Sequence, residues 1–341
     1  MNRTNHYLLK NFSGLFSSLF FTLFFITSII FFIKIASITS VIKINFIELG
    51  TMYIYLLPRI LIYTLPVTFF IAVTISLYNL SKENETIVLF TLGYSPKKIA
   101  KFFLTVASIL TFILIIDFLV LVPVSKQLNQ NFIDYKKIEA KFNIKATEFG
   151  QKFSDWLVYI NTIDENGIYK DVVMYKEKTA KEEQKIITSK SAKVENLDGI
   201  LKLTLDDGKV FQITDEKINQ VNFRTMDINS FSKNYITSVE SIYDYWMKSS
   251  ENDRRSSDLA FFMLISLFPL ATVLFAVSIG IVTYRYQKKN IYPEIFLIIS
   301  VYIGSISVLV KIFTIYTIPI VFFTSLLLSY IVYVKRIKQR Y

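Results

Sequence analysis

Residues 15–33 read LFSSLFFTLFFITSIIFFI, a run without one charged side chain. A bilayer core about 30 Å thick needs roughly 20 predominantly apolar helical residues to cross it. This run meets that length. It exceeds the roughly 7–15 residues of a secretory h-region and has no small-residue cleavage site after it. It therefore reads as an uncleaved membrane helix. Five more runs of the same kind follow, at 53–80, 99–122, 259–284, 291–313 and 316–334. The second is interrupted by Pro58, Arg59 and Pro66, and the third contains Asp117. The expected architecture is an α-helical membrane protein of six transmembrane helices, three before and three after an inserted domain. The divisions fall at 1–123, 124–257 and 258–341.

Composition agrees. Of 341 residues, 52% are hydrophobic and 16% aromatic, and cysteine is absent. That excludes a disulfide framework, a thiol nucleophile and Cys-ligated metal. The lone histidine, His6, leaves no material for a His triad or a multi-His zinc site. The net charge is +11. Residues 124–257 hold 21 basic and 21 acidic side chains, so the whole excess sits in the flanks. A neutral central domain argues against nucleic acid.

The placement of the flanking charge gives orientation. Arg3, Lys10, Lys82, Lys97, Lys98, Lys101, Arg285, Lys288, Lys289, Lys335, Arg336, Lys338 and Arg340 fall on one side. Lys34, Lys43 and Lys311 edge the short loops of the other. By the positive-inside rule the first set is cytoplasmic. Both termini are then inside. The central domain is expected outside, which in a double-membrane bacterium means the periplasm of an inner-membrane protein.

Within the central domain the hydrophobic period changes from 3.6 to 2 near Thr147. Seven short strands are expected, at 156–161, 171–175, 185–188, 192–197, 201–205, 210–214 and 218–223. Leu201, Leu203 and Leu205 alternate with Lys202 and Thr204, as on a half-buried strand. Glu165-Asn166-Gly167, Asp198-Gly199 and Asp206-Asp207-Gly208 read as turns. A sandwich, a jelly roll or a curved open sheet all satisfy this pattern.

Between the second and third runs lies SKENETIVLFTLGYSPKKI, residues 81–99. Ser81 suits a helix start, with Glu83 and Glu85 in its first turns. Gly93 suits a left-handed stop. Ser95 and Pro96 suit the N-cap and first position of the next helix. The loop is therefore a short helix, about 82–94, with Ile87, Phe90, Thr91 and Tyr94 on one face. A helix lying on a membrane surface carries basic residues along its polar face. This one carries glutamates, which favours a partner's pocket.

Several features together resemble the LptF/LptG permeases of the lipopolysaccharide export ABC transporter. They are Leu65-Pro66, Glu85 with Gly93-Tyr94-Ser95 between the second and third runs, and Pro123. Glu148-Phe149 and Trp156-Leu157-Val158-Tyr159-Ile160 add to them. The resemblance spans essentially the whole chain. It implies a jelly-roll-like periplasmic domain and a heterodimer with a second permease of the family. It implies a cytoplasmic ATPase dimer carrying the ATP and Mg, and periplasmic bridge proteins with like β domains. Lipopolysaccharide would enter from the membrane between the first span of one subunit and the fifth of the other. ATPase coupling would fall to Glu85, Phe90, Gly93, Tyr94 and Ser95. The chain itself would be a non-catalytic subunit without a bound cofactor. It has no Gly-x-x-x-x-Gly-Lys-[Ser/Thr] phosphate loop.

Charged groups near the spans are candidates for the substrate headgroup, which is polyanionic: Lys34, Arg59 and Lys311. Lys34 equally suits snorkelling to ordinary lipid phosphate. Asp117 is an intramembrane charge, and such groups face a cavity or one another. Pairing with Arg59, substrate contact and a lipid-facing end effect are the readings open to it. Two rival functions fit the same topology. One is a permease or ion-coupled carrier for another lipid-like substrate, which would show paired broken helices in its two halves. The other is a non-transport scaffold, which would need no coupling helix.

Overall fold

The computed structural model describes residues 3–39, 44–141, 151–153, 156–164, 167–178, 183–197, 200–214, 217–230, 240–248, 253–282 and 290–338. Lys43, Glu148, Phe149 and the basic loop at 284–289 lie outside them. The chain forms two compact units. One is helical, built from 1–37, 47–128 and 239–341; the other comprises 38–46 and 129–238.

The helical unit contains α1 (Arg3–Thr39), α2 (Phe46–Lys82), α3 (Glu85–Thr91) and α4 (Pro96–Ile116). A π-helical turn, Asp117–Leu121, leads into α5 (Val122–Lys141). After the second unit come α6 (Ile242–Met247), α7 (Asp253–Gly280), α8 (Tyr292–Phe313) and α9 (Thr317–Tyr333). Five helical segments are long and apolar enough to cross a membrane, the last running Tyr292–Ile337 over 46 residues. A straight helix of that length would span about 69 Å. It is instead two antiparallel spans. Thr314 sits at φ 43° and breaks the helix. The Thr317 hydroxyl reaches back to the Leu309 carbonyl at 2.9 Å. Arg336, near the far end, pairs with Glu294 near the beginning at 2.8 Å. The six expected spans are thus present.

Side-chain contacts fix the directions. Ser28 bonds Tyr53 and Phe12 meets Phe69, so α1 and α2 are antiparallel. Tyr63 meets Phe262, Phe70 meets Phe268, and a methyl on Gly280 would meet Leu77. Hence α2 and α7 run parallel. Lys126 pairs with Asp258 and Ser266 bonds the Leu114 carbonyl, so the α4–α5 segment opposes α7. Tyr302 donates to the Leu264 carbonyl, and the 11 residues between Gly280 and Tyr292 are too few to recross a bilayer as a helix, so α8 runs antiparallel to α7.

The helices α2 and α7 form the buried centre, with Phe69, Phe70, Leu77, Leu264 and Phe268 in one apolar cluster. Hydroxyls buried there bond their own helix: Thr68 to Thr64, Thr74 to Phe70 and Thr272 to Phe268. These three are satisfied without water, as a hydrocarbon solvent demands, whereas the buried Ser76 hydroxyl of α2 has no hydrogen-bond partner. At Gly280 an added Cβ would lie 2.6 Å from the Leu77 Cβ and 2.8 Å from the Thr74 carbonyl oxygen. Glycine is what lets these two helices approach. By contrast α1 and α8 turn apolar side chains outward, among them Phe25, Ile29 and Ile33, and Phe296, Val301 and Ile312.

The second unit is one six-stranded antiparallel sheet in the order β1-β2-β3-β4-β5-β6. The strands are β1 (Gln151–Phe153), β2 (Trp156–Ile163), β3 (Tyr169–Lys176), β4 (Gln184–Leu197), β5 (Ile200–Ile213) and β6 (Ile218–Ser230). Neighbours in sequence are neighbours in space. Among the described residues this is a meander without the crossover of a jelly roll.

Four expected strands merge into β4 and β5, and the reason is a crease. Asn161, Asp171, Lys190, Asp207 and Arg224 fall on one line across five strands, between regularly paired rows on either side. Asp171 and Asp207 are left-handed, at φ 54° and 49°. Crossing that line shifts the inward phase by one residue: Ile187 gives way to Ala192, Leu205 to Val210, and Phe223 to Met226. The shift is that of a β-bulge repeated strand by strand. Both halves of the sheet therefore turn their apolar sides to one core containing Val158, Met174, Ile187, Leu203 and Leu205. Polar contacts run along the crease, Asn161 to Asp171 at 3.3 Å and Lys190 to Asp207 at 3.6 Å.

Candidate functional site

The segment from Ser81 to Pro96 is built almost wholly by local chemistry. Expected as a helix start, Ser81 lies instead in the last turn of α2, which continues to Lys82. Its hydroxyl donates to the Gly280 carbonyl at 3.0 Å and accepts from the Val282 amide at 3.2 Å. It thereby fastens the end of α2 to the end of α7. The break falls at Asn84, left-handed at φ 64°. Asparagine tolerates that conformation better than other non-glycine residues. Two turns of helix follow.

Their stop is a Schellman motif. The Gly93 amide bonds the Phe90 carbonyl at 3.0 Å, and the Tyr94 amide bonds the Leu89 carbonyl at 2.9 Å. Gly93 stands at φ 80°, where a side chain would be strained. Ser95 is extended and Pro96 occupies the first helical position of α4, as expected; the Ser95 side chain makes no cap bond.

The first turns of α1 hold this segment at both ends. Tyr7 donates to the Glu85 carboxylate at the start of α3. Tyr94, just past its end, donates to the Asn5 side-chain oxygen. Tyr94 is buried, and that burial raises its phenol above the ordinary range. Phe90 is partly buried against the helical core. The outward apolar positions are Ile87, Val88 and Leu92, the last 76% exposed. The face expected to hold Ile87, Phe90, Thr91 and Tyr94 together is divided, with Phe90 and Tyr94 turned toward the core and Ile87 left outward beside Val88 and Leu92. Taking positions every three to four residues found one face; which face points inward depends on Asn5, 89 residues away.

The charged candidates do not converge. Lys34 on α1 and Lys311 on α8 are exposed, and Arg59 on α2 is half-buried. All three lie toward the same end of the bundle, where α7 begins. No bond or ion pair links them among the described residues. Asp117 is buried at the π turn, and neither carboxyl oxygen has a hydrogen-bond partner. The Arg59–Asp117 pair considered from sequence is not formed. Around this turn the loosened backbone is satisfied from outside: Ser266 bonds the Leu114 carbonyl at 3.3 Å and Trp246 the Leu119 carbonyl at 2.9 Å. Among the described residues no cluster of His, Cys, Asp and Glu could hold a metal ion.

A cleft of about 290 Å³ lies between α7, α8 and α9, walled by Phe275, Leu297, Val301, Tyr302, Val321 and Leu328 among others. It is apolar and suits an alkyl chain.

Residues 6–334 match the family described as "Lipopolysaccharide export system permease LptF/LptG". No curated protein matches the chain.

Proposed function

The chain belongs to the LptF/LptG family of lipopolysaccharide export permeases, and on that footing we propose that it is the transport half-site of an export machine driven by a separate ATPase. The reading places it in a bacterial inner membrane with both termini cytoplasmic and the β unit periplasmic. Its partners are a second permease of the family, a cytoplasmic ATPase dimer, and bridge proteins with like β domains. ATP and Mg belong to the ATPase, and this chain holds no cofactor.

The observation that carries the proposal is α3. A free two-turn helix is unstable in water. Here it is stopped by a Schellman motif, broken from α2 by a left-handed residue, and clasped by α1 at both ends. It presents Ile87, Val88 and Leu92 on the side bearing most of the basic residues. Three exposed apolar groups on a fixed short helix suit a hydrophobic socket on another protein. Force applied to α3 would reach α1 directly through Tyr7 and Tyr94. Lipopolysaccharide would pass between α1 of one subunit and α8 of the other, whose outward faces are apolar. Lys34 and Lys311 would then stand at the headgroup level.

Affinity purification in mild detergent tests this. The chain should bring along a Walker-type ATPase and a second permease of like topology. Leu92→Glu should lose the ATPase and keep the permease. Recovery without any ATPase, or an ATPase retained by Leu92→Glu and Val88→Glu alike, would sink the coupling role.

A further inference from the structure

We propose that the cavity between the first turn of α1 and the first turns of α4 binds the headgroup phosphate of an anionic phospholipid. The cavity holds about 440 Å³ and is lined by Asn5, Tyr94, Lys98, Lys101, Phe102 and Thr105. Its wall contains two ammonium groups and no carboxylate. Asn5 spends its oxygen on Tyr94, which leaves its amide N–H groups as donors. Lys98 is already aimed: its Nζ donates to the Gly93 carbonyl at 3.2 Å and stands 5.8 Å from the centre of the Tyr94 ring. Lys101 is exposed. Two lysines and an amide around one opening form a donor set for a phosphate.

The placement selects a lipid over a free anion. The apolar run of α4 begins at Ile99, so Lys98 and Lys101 stand where hydrocarbon meets headgroup. Thr105 lines the cavity, and Ile109 and Phe112 follow it at helical spacing, both strongly exposed. A phosphate held by the lysines would leave its acyl chains along that strip. Basic pockets at the ends of membrane helices bind acidic lipids in this way. The bound lipid would also sit against the Asn5–Tyr94 contact, and so beside α3. The inference uses only the membrane-spanning reading of the helices, and stands whether or not α3 docks an ATPase.

The test is native mass spectrometry of the full-length chain in detergent, with phosphatidylglycerol or phosphatidylcholine of matched acyl chains added. The chain should retain phosphatidylglycerol in clear preference. Lys101→Gln, an exposed substitution, should lower that retention about fivefold, and Lys98→Gln/Lys101→Gln should lower it further. Lys97→Gln, exposed and outside the cavity, should match the unaltered chain. Equal retention of phosphatidylcholine, or undiminished phosphatidylglycerol in Lys101→Gln, would overturn the proposal. So would displacement of the lipid by millimolar inorganic phosphate, which would mark a free-anion site.

Discussion

The Tyr94 hydroxyl donates to the Asn5 side chain across 89 residues of sequence, tying the first turn of α1 to the stop just past α3. Removing that hydroxyl tests how far the clasp holds α3. Tyr94→Phe keeps the buried ring and leaves the Asn5 oxygen without its donor. The cost should be about 0.5–1.5 kcal/mol, the net worth of an ordinary hydrogen bond. Hydrogen exchange should rise at the amides of residues 85–94 and stay unchanged in the centres of α2 and α7. Unaltered exchange in 85–94 would mean the Schellman stop alone fixes the helix.

Gly208 tests the crease. A Cβ there would lie 2.3 Å from the Phe223 ring and 2.3 Å from the Thr188 carbonyl oxygen. The carbonyl belongs to the paired strand and cannot swing aside. Gly208→Ala should destabilise the β unit by about 1–3 kcal/mol, the range for overpacking. Limited proteolysis within 151–230 should report it. Gly304, with open space around it, is the matched control: Gly304→Ala should leave stability unchanged or raised.

The same glycine shows where the sequence was readable and where it was not. Asp206-Asp207-Gly208 reads as a turn because a hairpin and a bulge ask for the same thing, residues that accept positive φ or carry no side chain. The crease uses both properties, with Asp207 left-handed and Gly208 beneath Phe223, while the strand runs on. Nothing local separates the two. What does is the alignment of Asp171, Lys190, Asp207 and Arg224 in the paired sheet. The six spans were legible because a bilayer demands length and apolarity of each segment alone. Even the sharp reversal at Thr314 fell where two apolar runs abut. The Gly93 stop and Pro96 start were legible for the same reason, being local backbone requirements. The inward turn of Tyr94 and the isolation of Asp117 were not, since each depends on which helix packs on which side.

Asp117 and Arg59 give a sharp contrast between pairing and isolation. A buried ion pair broken by removing one partner costs about 3–5 kcal/mol. With no partner for either Asp117 oxygen, Asp117→Leu should be no less stable than the unaltered chain, since a buried polar group without a bond is replaced by an apolar one. In a double-mutant cycle, Arg59→Gln and Asp117→Asn should add to within about 0.5 kcal/mol. Thermal unfolding in detergent measures both. Coupling well above that value would establish a pair the geometry does not contain.

Glu240 carries a pH dependence of definite sign. It accepts from Lys248 at 2.9 Å and from Arg255 at 3.1 Å, and Arg255 stacks 4.5 Å over the Tyr245 ring. The Lys248 hydrogen bond first, and then the nearby Arg255, hold its carboxyl below the ordinary range. Such a group binds its proton less tightly folded than unfolded, so protonation favours opening. Its contribution is whole above the ordinary carboxylate range and lost as pH falls through the lowered value. The effect should be small, because Lys248 is half exposed. The adjoining Trp246 packs on Phe118 with ring centres 6.0 Å apart and supplies the probe. The only other tryptophan is Trp156. In a Trp156→Phe background, acidification below the ordinary carboxylate range should shift Trp246 emission to the red. Glu240→Gln should remove that step, while Asp244→Asn, in α6's first turn and bonded to Ser241 instead, should leave it in place. A step that survives Glu240→Gln would assign the transition to another carboxylate, with Asp258 opposite Lys126 next to be changed.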